Sequence, residues 1–190
     1  MTGGMLLGNT LSPWIGASGD KAESMVPMVG SSLSIKYLPH YQLYLRFSRM
    51  ALEIYAEYTD FIEPFGLDEA WIDVTSSGVF GDAVKIAETI RNRVKFELGI
   101  TVSIGVSFNK IFAKLGSDYK KPDAVTVFRK DDYREKVWLL PLEELLYVGP
   151  ATTRKLRAQG IRTIGDLART DPSLLDSWLG KIGYVLHPLC

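Results

Sequence analysis

The spacing of apolar residues after residue 40 alternates between a helical period and short apolar runs. Apolar residues three or four positions apart predict one helix over 42–57 and another over 84–98, which Gly99 should end. A shorter helix is predicted over 109–115. Runs rich in β-branched and aromatic residues predict strands at 60–65, 70–75, 100–106 and 125–128. This order favours an α+β fold in which helices pack on a mixed central sheet.

The pattern changes near residue 130. Beyond that point, short amphipathic segments predict helices only, at 131–137, 142–146, 151–158, 164–170 and 173–179. We therefore expect a domain boundary near residue 130, followed by a small all-helical unit over 131–190. Glycines interrupt every candidate element of residues 1–40, so loop or poorly packed structure is expected there.

Composition places the chain among ordinary globular proteins. Its 190 residues include 46% hydrophobic and 23% charged residues, which excludes a largely disordered, collagen-like or disulfide-stapled chain. The single cysteine, Cys190, cannot form an intramolecular disulfide or a cysteine-based metal site, so a cytoplasmic location is expected. No apolar run approaches the roughly 18 residues that a membrane span needs, and no membrane partner is expected.

The formal net charge of zero conceals a segregation of charge along the chain. Residues 53–73 contain seven acids and no base, residues 91–130 contain nine bases and three acids, and residues 150–170 contain five bases and one acid. An acidic centre between basic segments suits a metal-dependent enzyme that acts on a polyanion. Solvated helix faces are the competing interpretation.

The first candidate motif is the carboxylate pair Asp68 and Glu69, immediately before the strand predicted at 70–75. Neighbouring residues of a regular strand point to opposite faces, but at a strand end or hairpin tip both carboxylates can approach one cation. Mg²⁺ takes carboxylate oxygens and often completes its shell with substrate phosphate. A solvated turn that happens to carry two acids is the alternative.

The second motif joins the strand at 100–106 to a helix that carries Lys110 and Lys114 on one face, four residues apart. Lysines near a helix N-terminus can contact phosphates. Asp118 lies four residues after Lys114 and could orient it. An amphipathic surface helix is the alternative.

The third motif, over 147–167, combines a hydrophobic-glycine turn, a basic helix, a Gly-Ile turn and a second helix. The turn at Gly149 should expose backbone N–H groups to a phosphate, and Arg154, Lys155 and Arg157 would reinforce the contact. A helical hairpin with only a packing role is the alternative.

Together these motifs resemble the Y-family, or translesion, DNA polymerases of the bacterial DNA polymerase IV type. The resemblance rests on Leu67-Asp68-Glu69-Ala70-Trp71-Ile72-Asp73-Val74-Thr75, the stretch from Gly105 through Lys110 and Lys114 to Lys121-Pro122, and the hairpin at 148–167. They occur in the family's order across roughly 150 residues, from about Tyr41 to the end.

The resemblance implies a part of the polymerase palm over 41–130 and a thumb with a helix-hairpin-helix over 131–190. It implies that Asp68 and Glu69 hold two Mg²⁺ ions as catalytic residues and that Lys114 contacts the incoming triphosphate. Lys110, Gly149, Ala151, Arg154 and Lys155 are the implied DNA contacts. Primer–template DNA and dNTPs are the implied partners, with a sliding clamp for the full-length protein.

Three departures from the family pattern shape the functional prediction. Residues 1–40 show neither the family's opening strand with a further metal-ligating Asp nor its fingers segment, since the first acid is Asp20, so they are left unassigned or as a degenerate fingers remnant. The chain also ends before the family's little finger. Gly66 and Ala151 replace a common Ser and a common second hairpin glycine.

We therefore expect an incomplete palm and thumb with impaired template-directed nucleotidyl transfer. A non-catalytic DNA-binding module acting through the hairpin is the competing class. A third reading is an unstable remnant, because a missing central strand would leave the sheet with an open edge.

Overall fold

The sheet at the centre of the molecule has five short strands. The computed structural model describes residues 5–7, as backbone, and residues 41–190. The strands are β1 (Met5–Leu7), β2 (Ile62–Pro64), β3 (Ala70–Ile72), β4 (Ile104–Ser107) and β5 (Val125–Phe128), and their order across the sheet is β2-β3-β1-β4-β5. Only β4 and β5 run parallel, and the other neighbouring pairs are antiparallel.

The central position of β1 corrects the expectation that this strand is missing. Met5 pairs with Ile72 on one side and with Val106 on the other, so β1 closes the gap between β3 and β4. The expectation of loop structure is therefore wrong at residues 5–7, where an apolar Met-Leu-Leu run meets two buried strands. The rest of that expectation, and the proposed fingers remnant, lie outside the described residues.

Two long helices cover one face of the sheet. They are α1 (Tyr41–Ala56) and α2 (Ala83–Leu98), and Gly99 ends α2 in the left-handed conformation with φ 71°, as predicted. Ala70 and Ile72 of β3 join the core beneath these helices, together with Ile104 and Val106 of β4. The alternation of strand side chains then directs Trp71 and the Gly105 position to the opposite face.

Helix α3 (Lys110–Tyr119) packs on that opposite face. Asn109 caps its N-terminus by accepting a hydrogen bond from the Phe112 N–H at 2.8 Å. The approach to β4 is so close that a Cβ on Gly105 would lie 1.8 Å from the Ala113 carbonyl oxygen. A residue without a side chain at position 105 is therefore what lets α3 lie directly on the sheet.

The C-terminal third of the chain is helical. Its helices are α4 (Tyr133–Lys136), α5 (Pro150–Ala158), α6 (Ile164–Arg169), α7 (Pro172–Leu179) and α8 (Lys181–Leu186). Their buried face forms a second core that also includes Phe112 and Leu115 of α3 and Phe128 of β5. This core therefore crosses residue 130, and α3 lies between the sheet and the C-terminal helices.

The predicted element types hold for most of the described chain, with shifted boundaries. The predicted strand at 100–106 is wrong over its first half, because β4 begins at Ile104. The predicted helix at 142–146 is a 3-10 turn at 142–144, and α8 was not predicted. Among the described residues, no helix is both long and apolar enough to cross a bilayer.

Candidate active site and nucleic-acid interface

Asp68 and Glu69 lie at the tip of the hairpin that joins β2 to β3. The Phe65 N–H donates to the Glu69 carbonyl at 2.7 Å, and Gly66 makes the reversal in the left-handed region at φ 83°. The two carboxylates therefore lie in the irregular tip rather than in a regular strand, as the sequence predicted. Ser48 and Ala51 of α1 line the same small hollow as these acids.

Lys114 connects the hairpin tip to helix α3. Its ammonium lies 2.8 Å from Glu69 Oε1 and 2.8 Å from Asp118 Oδ2. The Lys114 and Glu69 side chains are only 13% and 15% exposed, so this ion pair is largely shielded from water. The predicted orienting role of Asp118 agrees with this geometry.

Lys121 extends the network by pairing with the other carboxylate oxygen of Asp118. Charges thus alternate along the chain of contacts Glu69, Lys114, Asp118 and Lys121. Lys121 was not among the predicted site residues. Its spacing of three from Asp118, just past the predicted helix, was the signal that could have found it.

The contacts within the network favour the charged forms of Asp118 and Lys114. Burial opposes the charge of Asp118, but hydrogen bonds from Lys114 and Lys121 outweigh burial and lower the Asp118 pKa. Burial likewise disfavours the Lys114 ammonium, while hydrogen bonds to Asp118 and Glu69 outweigh it and raise the Lys114 pKa.

The donor set at the hairpin tip fits one hard cation better than two. Asp68 and Glu69 are adjacent carboxylates, the ligand type that Mg²⁺ prefers together with phosphate oxygens. Strand β1 passes beside β3, but its residues Met5-Leu6-Leu7 include no carboxylate. Among the described residues, no group of three His, Cys, Asp or Glu side chains is placed to hold a metal ion.

Lys110 lies apart from this network, at the other side of the same hairpin. Its ammonium pairs with Glu63 of β2 and lies 5.4 Å from the centroid of the Trp71 ring. Together with Phe108 and Asn109 it lines a cleft of about 510 Å³ between the sheet edge and α3. The structure therefore gives Lys110 a carboxylate partner, although half of its side chain remains exposed.

The predicted phosphate-binding hairpin is formed by α5 and α6. Gly149 is the N-cap of α5 and Pro150 its first residue, so the first backbone N–H groups of α5 have no partner within the helix. Ala151, Arg154 and Lys155 are exposed on this helix. Neither Arg154 nor Lys155 takes part in an ion pair with any residue in the described part of the chain.

A tight turn and a capping box hold the hairpin together. Gly160 adopts φ 82°, and the Thr163 side chain accepts from the Asp166 N–H while Asp166 accepts from the Thr163 N–H. These backbone hydrogen bonds from Arg162 and Thr163 are also what lower the pKa of Asp166. The turn and capping contacts of the hairpin therefore do not use Arg154 or Lys155, which remain available to a ligand.

Although acids and bases are segregated along the sequence, the fold brings the bases of α2 next to carboxylates. Arg93 pairs with Glu57 of α1 and with Glu97 of its own helix. Arg91 and Lys95 both pair with Asp123. These three bases of α2 therefore already have carboxylate partners within the protein, on the face of the sheet opposite α3.

The family assignment follows from comparison with known proteins. The model of the impB/mucB/samB family matches residues 16–118, more than half of the chain, and the chain belongs to this family. Among curated relatives, DNA polymerase IV of Acetivibrio thermocellus is 57% identical over 148 residues, which are 77% of this chain and 37% of that protein. DNA polymerase IV of Ralstonia nicotianae is 44% identical over 153 residues, covering 80% of this chain and 43% of that protein. The chain thus spans about two-fifths of the length of these relatives.

Solved structures agree on the fold. The crystal structure of DinB from Sulfolobus solfataricus superposes with a TM-score of 0.71 at 29% identity, covering 78% of this chain and 45% of that one. The insertion ternary complex of Dbh DNA polymerase gives the same TM-score and identity, covering 78% and 44%. The fold is that of the Y-family polymerase palm with its accompanying helices, which confirms the predicted fold class.

Proposed function

We propose that this chain is the palm and thumb part of a translesion DNA polymerase and carries a weakened centre for template-directed nucleotidyl transfer. Residues 41–130 would be the palm and residues 131–190 the thumb. The observation that carries the proposal is the carboxylate pair Asp68 and Glu69 at a hairpin tip, with Glu69 paired to Lys114 of α3. Membership of a family whose relatives are named DNA polymerase IV supports it.

The residues have distinct proposed roles in the reaction. Asp68 and Glu69 would hold Mg²⁺, which when bound activates the primer 3′-hydroxyl and neutralises charge on the triphosphate. Lys114 would contact the triphosphate of the incoming dNTP, and Lys121 at the outer end of the same network would assist it. The substrates would be primer–template DNA and dNTPs, in the cytoplasm, with a sliding clamp as partner of a longer protein.

The proposed weakness has a specific cause. A two-ion mechanism needs enough carboxylates to hold both ions. The hairpin tip supplies two, and β1, the strand beside it, contributes Met-Leu-Leu instead of an acid. We therefore expect slow nucleotide incorporation by this chain.

Primer extension by the full chain tests the proposal. With Mg²⁺ and dNTPs, we expect slow extension that Asp68→Ala lowers by at least about 100-fold, the scale of losing one group that stabilises transition-state charge. Glu53→Ala is the matched control, because Glu53 is an exposed acid on α1 away from the hairpin tip. Equal extension by wild type and Asp68→Ala would overturn the assignment.

A DNA-binding module without catalytic activity is the second candidate. It is favoured by the exposed N-terminus of α5, with Arg154 and Lys155 left without ion-pair partners in the part of the chain that the structure describes. This candidate predicts salt-sensitive DNA binding that is unchanged by Asp68→Ala and by removal of Mg²⁺. Binding of that kind, together with the absence of any extension, would favour it over the first.

A further inference from the structure

The Lys114 ammonium occupies the space beside Glu69 where a cation would be expected. It lies 2.8 Å from Glu69 Oε1, and the two side chains are only 13% and 15% exposed. A metal ion that used this oxygen would have to share it with the ammonium or displace it. Two cations competing for one carboxylate oxygen repel each other strongly where water is largely excluded.

Asp118 is a second carboxylate partner for Lys114. The ammonium is already 2.8 Å from Asp118 Oδ2, so releasing Glu69 would not leave it buried without a partner. A buried ammonium without a carboxylate partner carries a large free-energy penalty. A lysine with only one such partner could therefore not leave it without paying that penalty. Lys121 completes the arrangement by neutralising the other oxygen of Asp118, which keeps that carboxylate from pulling Lys114 away completely.

We propose that Lys114 is a tethered positioning cation, which holds Glu69 in place while no metal is bound and moves onto Asp118 when a divalent cation takes Glu69. The inference rests on the proposed metal-binding role of Asp68 and Glu69. It adds a regulatory function to the network: the strength of the Lys114–Asp118 pair sets how tightly the hairpin tip binds a cation.

Mn²⁺ binding to the full chain, followed by electron paramagnetic resonance of the free ion, tests this without any activity measurement. Lys114→Gln should tighten Mn²⁺ binding about tenfold, which corresponds to about 1.4 kcal/mol. Asp118→Asn should weaken it about threefold, because Lys114 would then have Glu69 as its remaining partner. Lys114→Arg keeps the charge and should stay within about twofold of wild type.

Lys110→Gln separates contact from a general change of charge. Lys110 is also near the hairpin but pairs with Glu63, so its removal should change Mn²⁺ affinity less than about twofold. Asp68→Asn tests the proposed function itself and should abolish binding in every background. Near-ultraviolet circular dichroism of each variant establishes that it is folded.

The outcomes distinguish the two proposals. If Asp68→Asn abolishes binding but Lys114→Gln and Asp118→Asn leave it unchanged, or if Lys110→Gln matches Lys114→Gln, the tethered-cation inference is wrong and the metal site stands. If neither wild type nor Lys114→Gln binds Mn²⁺ in a way that depends on Asp68, both proposals are wrong.

Discussion

Gly105→Ala should disrupt the packing of α3 on β4. The candidate site depends on that packing. The new Cβ would lie 1.8 Å from the Ala113 carbonyl oxygen and 2.6 Å from the Ser117 N–H nitrogen. Both are backbone atoms, and ordinary contact begins near 3.4 Å, so α3 would have to move by about 1.6 Å or the strand would have to bend. Overpacking of this kind costs typically about 1–3 kcal/mol and more when backbone must shift.

Urea unfolding of wild type and variant measures this cost. We expect Gly105→Ala to lose about 3 kcal/mol or more of unfolding free energy. Gly78→Ala is the matched control, since a Cβ there meets nothing within 4 Å, and it should stay within about 0.5 kcal/mol of wild type. Equal stability of the two variants would refute the proposed close packing of α3 on the sheet.

Three further predictions concern the helical core, the ion-pair network and the hairpin. Leu156→Ala, at a fully buried position, should cost about 2–5 kcal/mol. Because the same core includes Phe112 and Phe128, the sheet and the C-terminal helices should melt in one transition, and two separate calorimetric transitions would contradict this. The folded-state pKa of Asp118 lies below its ordinary 3.8, so its stabilisation is present above about pH 4 and is lost as pH falls through the lower folded value. The difference in unfolding free energy between wild type and Asp118→Asn, measured by urea titration, should therefore shrink below pH 4, from at most about 1 kcal/mol, since over a third of this side chain is exposed. Arg154→Ala should reduce the salt dependence of DNA binding by about one phosphate contact, a slope change of about 0.9 in log K against log salt, and an unchanged slope would remove Arg154 from the interface.

Sequence periodicity predicted the helices better than the strands. The end of α2 at Gly99 is a local event, because an αL glycine caps a helix whatever packs on it. The start of β4 depends on its partners instead, and β4 begins only where Ile104 meets Val125 of β5. Pairing across long stretches of chain leaves no periodic signal in either segment, which is why the strand was predicted four residues too early.

The central strand β1 is a clearer example of a strand whose position depends on its partners. Met5-Leu6-Leu7 is too short and too closely flanked by glycines to be predicted as a strand. Its place is set by β3 and β4, which leave unpaired backbone groups on both sides of it. Nothing in residues 1–40 alone indicates those partners.

The sequence indicated which residues form the candidate site, but it did not indicate the contacts between residues that are distant along the chain. The spacing of Lys114 and Asp118 indicated a contact within one helix, and the structure contains it. The pairing of Lys114 with Glu69 joins residues 45 positions apart and depends on the seating of α3 on the sheet. Likewise, the bases of α2 could be counted from the sequence, but their carboxylate partners on α1 and at Asp123 could not.

Single-nucleotide incorporation under single-turnover conditions is the decisive assay for nucleotidyl transfer by Asp68. The full chain, in excess over primer–template DNA with Mg²⁺, is given each dNTP alone opposite each of the four template bases. We expect slow incorporation that follows the template base and is lost in Asp68→Ala. Incorporation that ignores the template base, or that survives Asp68→Ala unchanged, would contradict it.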